Sequence, residues 1–246
     1  MTPEDALPTA GLVCVVGAGG KKTTLYTLAN RIDRAVVSAT VRIPIFDEHV
    51  ARVVVTGDPV AALSDAAPDD GFPLGLVPER ERDDRYLGYD PAVVDDLAGA
   101  HDGPVFVKAD GARMREFKAP SDREPQIPAG ADAVVPIVSA HVVGRPLTDE
   151  RVHRPERVAA VAGLDVGDEV TPEAVGRVLA SPDGGLKDVP AGADVVALVN
   201  KVDDDADEAV ARAVAAAAFD ADAAGRLDRV VLAALGEGRV VDVIER

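Results

Sequence analysis

Short apolar runs recur along the 246-residue chain and constrain its fold more than any other feature of the sequence. They are nearly continuous in hydrophobicity, which is the pattern of strands buried on both faces of a sheet. Helical patterns lie between many of the runs, and this alternation predicts an α/β fold with a mostly parallel sheet and helices on both faces. The apolar runs are residues 11–16, 34–39, 52–57, 103–108, 132–138, 194–200 and 228–235.

The chain is long enough for one large domain or two small ones. No internal repeat divides it, and turn-rich sequence at residues 66–90 and 111–130 indicates irregular excursions from the sheet. We therefore predict a single α/β domain over residues 1–246.

The net charge of the chain is −17, with 30 Asp and 13 Glu against 20 Arg and only 6 Lys. A charge of this size keeps a protein soluble where salt screens the self-repulsion, so we hypothesise a halophilic source. The same charge opposes nucleic-acid binding, which requires a basic face.

No apolar run approaches the roughly 20 residues that span a bilayer. The acidic N-terminus does not resemble a secretion signal, so we expect a cytoplasmic protein with no membrane partner. Cys14 is the single cysteine, which excludes an intrachain disulfide. Nothing in the sequence indicates an oligomeric state.

A glycine-rich turn, in the segment VVGAGGKKTTL, follows the first apolar run. Strand, glycine loop and helix in this order form the context of a phosphate loop, where backbone N–H groups and a helix N-terminus bind anions. A dinucleotide-binding turn is excluded because Lys22 stands at the position of the third glycine. The predicted phosphate-binding residues are Gly17, Ala18, Gly19, Gly20, Lys21, Lys22, Thr23 and Thr24.

The spacing of this loop leaves its register open. Gly17 lies five residues before Lys22, whereas G-x-x-x-x-G-K-[ST] requires six. Either Lys21 or Lys22 could contact the terminal phosphates, with Thr23 or Thr24 as the hydroxyl beside Mg²⁺. The alternative is an ordinary tight turn with two solvent-facing lysines.

Two other apolar runs end in candidate binding residues. Asp110 follows one of them, and the carboxyl end of a parallel strand is where α/β folds bind ligands. It could hold Mg²⁺ directly or through water, or it could simply form an Asp-Gly turn.

The other run ends in N-K-V-D, a motif that recognises guanine in GTPases. There Asp203 would bind the base, Lys201 would lie along its ring, and Asn200 would brace the neighbouring loop.

The N-K-V-D segment could instead cap the helix that follows it. Together with the glycine loop it favours GTP over ATP.

A cationic cluster in the centre of the chain could bind a phosphate or another anionic second ligand. Alternatively, these cations could form ion pairs with the abundant carboxylates of the chain and bind no ligand. The candidate second-ligand residues are Arg113, Arg115, Lys118, Glu124, His153 and Arg154.

Four segments together resemble the YqeC family, described as accessory proteins of selenium-dependent hydroxylases or of selenium cofactor biosynthesis. They are VVGAGGKKTTL, ADGARMREFKAPSDREPQIP, VSAHVVGRPL and VHRPERVAAVAGL. The resemblance covers about residues 11–203. It implies a phosphate-loop NTPase-like fold and a role in the maturation of molybdenum hydroxylases that carry selenium. In a source without such enzymes, the client would be a molybdenum enzyme without selenium.

Individual positions carry the resemblance, and a few depart from it. The family often has glutamate where this chain has Lys108 and threonine where it has Lys22, and SATVRI replaces a threonine-rich run. The matching residues are Gly17, Gly19, Gly20, Lys21, Thr23, Ala109, Asp110, Gly111, Lys118, Ala119, Pro120, Glu124, Pro125, His153, Arg154 and Pro155.

We therefore expect a Mg²⁺-dependent NTP hydrolase that prefers GTP and acts on a molybdenum-cofactor client. Thr23 and Asp110 would hold the metal. One alternative is a small-molecule kinase or ligase with its acceptor at the central cluster, and another is a nucleotide-gated chaperone or scaffold without hydrolysis. The predicted catalytic residues are Lys21, Lys22, Asp110, Arg113 and Lys118.

Overall fold

A computed structural model describes residues 1–64 and 71–246. Its strands are β1 (Leu12–Gly17), β2 (Val36–Ala39), β3 (Ile43–Pro44), β4 (Arg52–Val55), β5 (Leu74–Val77), β6 (Arg80–Arg82), β7 (Arg85–Tyr86), β8 (Val105–Lys108), β9 (Phe117–Lys118), β10 (Ala133–Ser139), β11 (Val152–His153), β12 (Asp194–Asn200), β13 (Arg229–Ala234) and β14 (Arg239–Glu245). The α-helices are α1 (Pro3–Ala6), α2 (Lys21–Ala29), α3 (Pro59–Ser64), α4 (Pro91–Gly99), α5 (Pro155–Ala162), α6 (Pro172–Leu179) and α7 (Asp205–Ala221).

Nine of the strands form one large sheet, in the order β14-β13-β12-β10-β1-β8-β2-β5-β4. All neighbouring pairs are parallel except β13 and β14. Each of the seven predicted apolar runs overlaps a strand of this sheet. The prediction of an α/β fold with a mostly parallel sheet is confirmed.

Helices cover both faces of the sheet. Alternate residues of each strand point to opposite faces, so each strand contributes side chains to a core on either side. On one face, Val13 and Val15 of β1 pack in one core with Leu25 of α2. On the other face, Cys14 of β1 packs in a second core with Leu97 of α4. A third core joins β12 and β13 to α5, α6 and α7. The central strands are therefore buried on both sides, as their continuous hydrophobicity predicts.

The segment expected to be irregular at residues 66–90 differs in the structure. Residues 66–70 lie outside the described residues, but β5 is a parallel strand between β2 and β4 in the large sheet. Its four residues are fully buried in a short stretch flanked by turn sequence, which hides the strand from a periodicity search. In contrast, residues 111–130 contain only the two-residue strand β9. The single domain stays a prediction.

The carboxyl ends of β1, β8, β10 and β12 lie side by side at one edge of the sheet, because these strands are adjacent and parallel. The glycine turn, Asp110, Ser139 and Asn200 follow or end these strands. No helix in the described part of the chain has the length and apolar character needed to cross a membrane.

Candidate functional site

Three glycines of the turn after β1 have backbone conformations that side chains disfavour. The φ angles are 86° at Gly17, 96° at Gly19 and 146° at Gly20. A Cβ at Gly17 would lie 2.3 Å from the Ile137 carbonyl oxygen, and one at Gly20 would lie 2.1 Å from Asn200 Nδ2. The turn therefore packs directly on β10 and on the end of β12, which only glycine allows.

The backbone amides of this turn divide into two groups. Gly17 N donates to Asp110 Oδ2 at 2.8 Å, Ala18 N to the Ile137 carbonyl at 2.8 Å and Gly19 N to the Arg115 carbonyl at 3.1 Å. The next four amides, at residues 20–23, have no acceptor within the described chain. These four form the N-terminus of α2, so the available anion-binding donors lie at the helix start rather than in the first three residues of the loop.

The two adjacent lysines occupy different environments. Lys21 is only 6% exposed; its Nζ donates to the Gly17 carbonyl and lies 2.9 Å from Asp110 Oδ1. Lys22 is half-buried and forms no ion pair or hydrogen bond with the residues that the structure describes. Thr24 Oγ1 donates to the Gly20 carbonyl at 3.1 Å, whereas Thr23 is half-buried with no such bond among the described residues.

Asp110 is buried between two lysines. Its Oδ2 also lies 2.9 Å from Lys118 Nζ. The contact from Lys21 to Oδ1 lacks hydrogen-bond geometry, so Oδ1 has no hydrogen-bond donor in the described structure. Burial by itself would raise the pKa of Asp110, but the charges of Lys21 and Lys118 outweigh it and hold the pKa below its usual value.

The central cluster assembles around Glu124. Lys118 Nζ donates to Glu124 Oε2 at 3.1 Å, and Arg154 Nη1 donates to the same oxygen at 2.7 Å. Gly111 N donates to Glu124 Oε1 at 3.1 Å. His153 is opposite Lys118 in the pairing of β9 with β11. The structure thus brings four of the six predicted second-ligand residues together beside Asp110.

Arg113 and Arg115 lie on a turn that approaches the glycine loop through its backbone. Arg113 and Met114 both have positive φ, 46° and 63°, and both side chains are exposed. The Arg115 carbonyl accepts from Gly19 N, while its side chain, like that of Arg113, forms no ion pair or hydrogen bond within the described residues. The turn therefore presents near the loop two guanidinium groups that have no partner in the described structure.

The site prediction omitted Lys108, which is buried beside this cluster with 6% of its surface exposed. Its Nζ donates to the Arg42 carbonyl at 2.8 Å. Burial, followed by the charge of Lys21, lowers the pKa of Lys108 to about 7. Its position at the end of β8, two residues before Asp110, was the available signal, because the carboxyl ends of parallel strands form the ligand-binding edge of the sheet.

Positive charge is in excess at this edge of the sheet. Four basic side chains, of Lys21, Lys108, Lys118 and Arg154, surround the carboxylates of Asp110 and Glu124. Burial, then the charges of Arg154 and Lys118, lowers the pKa of His153 to about 4, so its imidazole is neutral at physiological pH. In a chain with net charge −17, a buried cationic excess is suited to an anionic ligand.

Asn200 links the glycine loop to two strand ends. Its Nδ2 donates to the Gly19 carbonyl at 2.9 Å, and its Oδ1 accepts from Leu235 N at 3.0 Å. The other two residues of N-K-V-D contact protein groups: Lys201 Nζ lies 3.1 Å from Glu116 Oε1, and Asp203 Oδ2 lies 3.2 Å from His141 Nε2. The bracing geometry expected of Asn200 is therefore present, while Lys201 and Asp203 are already paired.

Comparison with known proteins identifies the family. The family described as "YqeC protein" matches residues 13–156, which is more than half of the chain. The chain belongs to the YqeC family. This confirms the resemblance found in the sequence, and the matched region includes the glycine loop, Asp110 and the cluster around Glu124. The N-K-V-D segment lies beyond it.

A curated relative from Escherichia coli (strain K12) bears the name "Uncharacterized protein YqeC". It is 28% identical over 195 residues, which cover 77% of this chain and 75% of the relative. No solved structure matches the chain.

Proposed function

We propose that this YqeC-family chain binds a nucleoside triphosphate, with GTP favoured over ATP, and hydrolyses it in the cytoplasm as an accessory factor for a molybdenum hydroxylase. The observation that carries the proposal is the buried cationic excess directly beside four amides at the start of α2 that have no acceptor among the described residues. Both features bind negatively charged oxygens, and a triphosphate carries enough charge to engage them together.

The energetics of the buried cations support an anionic ligand. Buried charges are costly unless they are paired, and the lowered pKa of Lys108 shows that its charged form is disfavoured. An incoming phosphate would offset that cost by supplying negative charge. Lys22, Arg113 and Arg115, whose side chains have no partner in residues 1–64 and 71–246, extend the positive field to the surface, where they would attract the ligand.

The arrangement of the strands supports a phosphate-loop NTPase-like fold. The glycine loop follows β1 in the middle of the sheet, and Asp110 follows the adjacent strand β8. Lys21 would exchange its contact with Asp110 for the phosphates, because its side chain starts at the first residue of α2. Lys118 would remain beside the reacting phosphate, and Arg113 would stabilise the transition-state charge.

Magnesium fits this site through a water molecule rather than by direct contact with Asp110. A bare Mg²⁺ on that carboxylate would lie beside two ammonium groups, each 2.9 Å from its oxygens. The Oδ1 atom, which lacks a hydrogen-bond donor within the described residues, can accept from a metal-bound water. Thr23 would hold the ion by its hydroxyl, and the bound ion would neutralise phosphate charge.

The preference for guanine rests on the N-K-V-D segment. Asn200 has the bracing contacts that the guanine-binding interpretation requires. Asp203 would have to leave His141 to bind the base, and it is exposed enough to do so, with 48% of its side chain accessible. Guanine recognition is therefore a more specific proposal than nucleotide binding itself.

Calorimetric titration with GTP and ATP, in molar KCl with magnesium, tests the proposal. Lys21→Met and Lys22→Met form a matched pair, since each removes one charge at adjacent positions. We expect Lys21→Met to abolish binding and Lys22→Met to weaken it only slightly. Absence of binding in folded wild-type protein would refute the nucleotide proposal, and equal losses in the two variants would refute the role of Lys21.

The cluster around Glu124 favours a second candidate, phosphoryl transfer to an anionic acceptor. Lys118, Arg154 and neutral His153 surround one carboxylate next to Asp110, which leaves cationic donors for a second ligand. Phosphate release without any added acceptor would favour hydrolysis, and turnover only with an acceptor would favour transfer. Tight binding without turnover would instead indicate a nucleotide-gated scaffold.

A further inference from the structure

We propose that His141, Asp203 and Asp207 form a separate binding site for one divalent transition-metal ion of the Zn²⁺, Co²⁺ or Mn²⁺ type. The three side chains come from three segments: the short 3₁₀ helix Ala140–Val142 after β10, the segment after β12, and the first turn of α7. This site does not require a bound nucleotide, although it shares Asp203 with the segment proposed to bind guanine.

The spacing of the three ligand atoms fits a shared ion. His141 Nε2 lies 3.2 Å from Asp203 Oδ2 and 3.3 Å from Asp207 Oδ2, and all three ligand atoms lie within 4.8 Å of one another. Zinc binds imidazole nitrogen and carboxylate oxygen at about 2.0–2.2 Å, so adjacent ligands around it lie about 3–3.5 Å apart. The two separations from His141 Nε2 therefore fall where one central cation would place them.

Hydrogen bonding alone accounts poorly for the arrangement. Nε2 can donate a single proton, yet it faces two carboxylates at nearly equal distance. The 3.3 Å contact with Asp207 is long for a hydrogen bond, and the 3.2 Å contact with Asp203 lacks hydrogen-bond geometry. A metal ion would satisfy all three groups at once.

Hydrogen bonds to the backbone hold the three ligands in position. Ser139 Oγ accepts from His141 N at 3.2 Å, and Asp207 Oδ2 accepts from Asp203 N at 3.2 Å. Asp204 Oδ1 accepts from Asp207 N at 2.9 Å and so fixes the start of α7. The ligand set is thus preorganised, and partial exposure of each side chain leaves room for water to complete the coordination shell.

The surrounding charge attracts a cation, and the ligand types select its class. The segment DDDADE at residues 203–208 carries five carboxylates. The nearby cations are occupied: Lys201 pairs with Glu116, and Arg239 donates to the carbonyls of Val202 and Asp203. One imidazole with two carboxylates suits zinc, cobalt or manganese, whereas magnesium and calcium prefer oxygen ligands alone.

The test uses full-length protein freed of metal by chelation and dialysed into molar KCl without nucleotide. Calorimetric titration with ZnCl₂ is expected to give one ion per chain. Addition of CoCl₂ is expected to produce visible absorption bands from bound Co²⁺. His141→Gln and Asp207→Asn should each lower the affinity at least about tenfold.

Asp205→Asn is the matched control, because it removes the same charge from the same helical turn but lies outside the ligand set. Its affinity should stay within about twofold of wild type, since the general field contributes little in molar salt. Equal losses in Asp205→Asn and Asp207→Asn would overturn the proposal by showing diffuse attraction only. Absence of stoichiometric binding, or unchanged affinity in His141→Gln, would also overturn it.

Circular dichroism establishes that each variant is folded, and His141→Asn replaces His141→Gln if the latter does not fold. Because no nucleotide is present, failure of metal binding leaves the nucleotide proposal untouched. Likewise, if the protein binds the metal but no nucleotide, the metal-site proposal stands and the nucleotide proposal is refuted. If Asp203→Asn abolishes metal binding without changing the GTP preference, Asp203 is a metal ligand and not the base-reading residue.

Discussion

Lys108 and Gly20 show how the crowded carboxyl edge of the sheet constrains the hydration of one residue and the backbone conformation of another. Lys108 loses hydration in the interior and, within the described part of the chain, its side chain gains one hydrogen bond, to the Arg42 carbonyl. Gly20 has a φ of 146° and touches the Asn200 side chain. The burial of Lys108 costs stability, as is common at functional positions, whereas glycine meets the geometry at position 20 without a side-chain clash.

The free energy of unfolding should rise with pH through the titration of Lys108. Its pKa is about 7 in the folded chain and about 10.4 in an unfolded one, so the unfolded state binds more protons between these values. The penalty for burying the charge is complete below pH 7 and disappears as the pH rises toward 10.

Chemical denaturation of wild type and Lys108→Met between pH 7 and 10 measures this effect. The variant should be more stable at pH 7 and should show a smaller rise; part of the rise should persist, because burial also lowers the pKa of Lys21. A rise of equal size in both proteins would show that other groups cause it.

Substitution of Gly20 by alanine should destabilise the fold by on the order of 2 kcal/mol. The new Cβ would fall 2.1 Å from Asn200 Nδ2 in a conformation that alanine avoids. Gly57→Ala is the control, since a Cβ there has no neighbour within 4 Å in the described structure. Urea denaturation should show little change for Gly57→Ala; similar losses in both variants would contradict the steric account.

At the scale of elements, one short turn stands out because it carries strain without glycine. The turn at residues 112–115 closes with a 2.9 Å bond from Arg115 N to the Ala112 carbonyl, and both central residues are left-handed. Left-handed conformations cost a side-chain-bearing residue roughly 1–2 kcal/mol each. The turn connects Asp110 to β9, so its strain lies between the two halves of the candidate site.

Met114→Gly should therefore raise the free energy of unfolding by about 1 kcal/mol. Met114 is 79% exposed, so little packing is lost. Val166→Gly is the control, because Val166 is also exposed, at 56%, but does not have a positive φ. Thermal unfolding should move upward in the first variant and downward in the second; a decrease in both would show that the turn is unstrained.

At the scale of the whole molecule, the net charge of −17 should make stability depend on salt. Carboxylates repel one another across the surface, and ions screen that repulsion over about 10 Å at 0.1 M salt. We expect the free energy of unfolding to increase steadily from dilute buffer to molar KCl, with unfolding at the lowest salt. Circular dichroism during salt removal measures this, and stability unchanged in dilute buffer would contradict the halophilic hypothesis.

The sequence predicted the sheet well where strands are long and continuous. β1, β10 and β12 are rich in Val, Leu and Ile, and their nearly continuous apolar sequence indicates burial on both faces. It missed β5, which has four residues between turn signals, and β14, whose residues lie at the edge of the sheet and are mixed in polarity. Short or edge strands depend on a partner strand for their hydrogen bonds, and the partner is remote in sequence.

The sequence by itself determined the α/β class, the glycine loop and its position after a buried strand, because hydrophobic periodicity and glycine spacing are local properties. Only the tertiary structure decided that Lys21, and not Lys22, faces Asp110. It also placed Lys108 in the cationic cluster and brought His141 to Asp203 and Asp207. Adjacent residues on a helix point in different directions, and remote residues meet only where parallel strands align their ends. Burial and charge pairing at the site therefore follow from strand order, which no local pattern encodes.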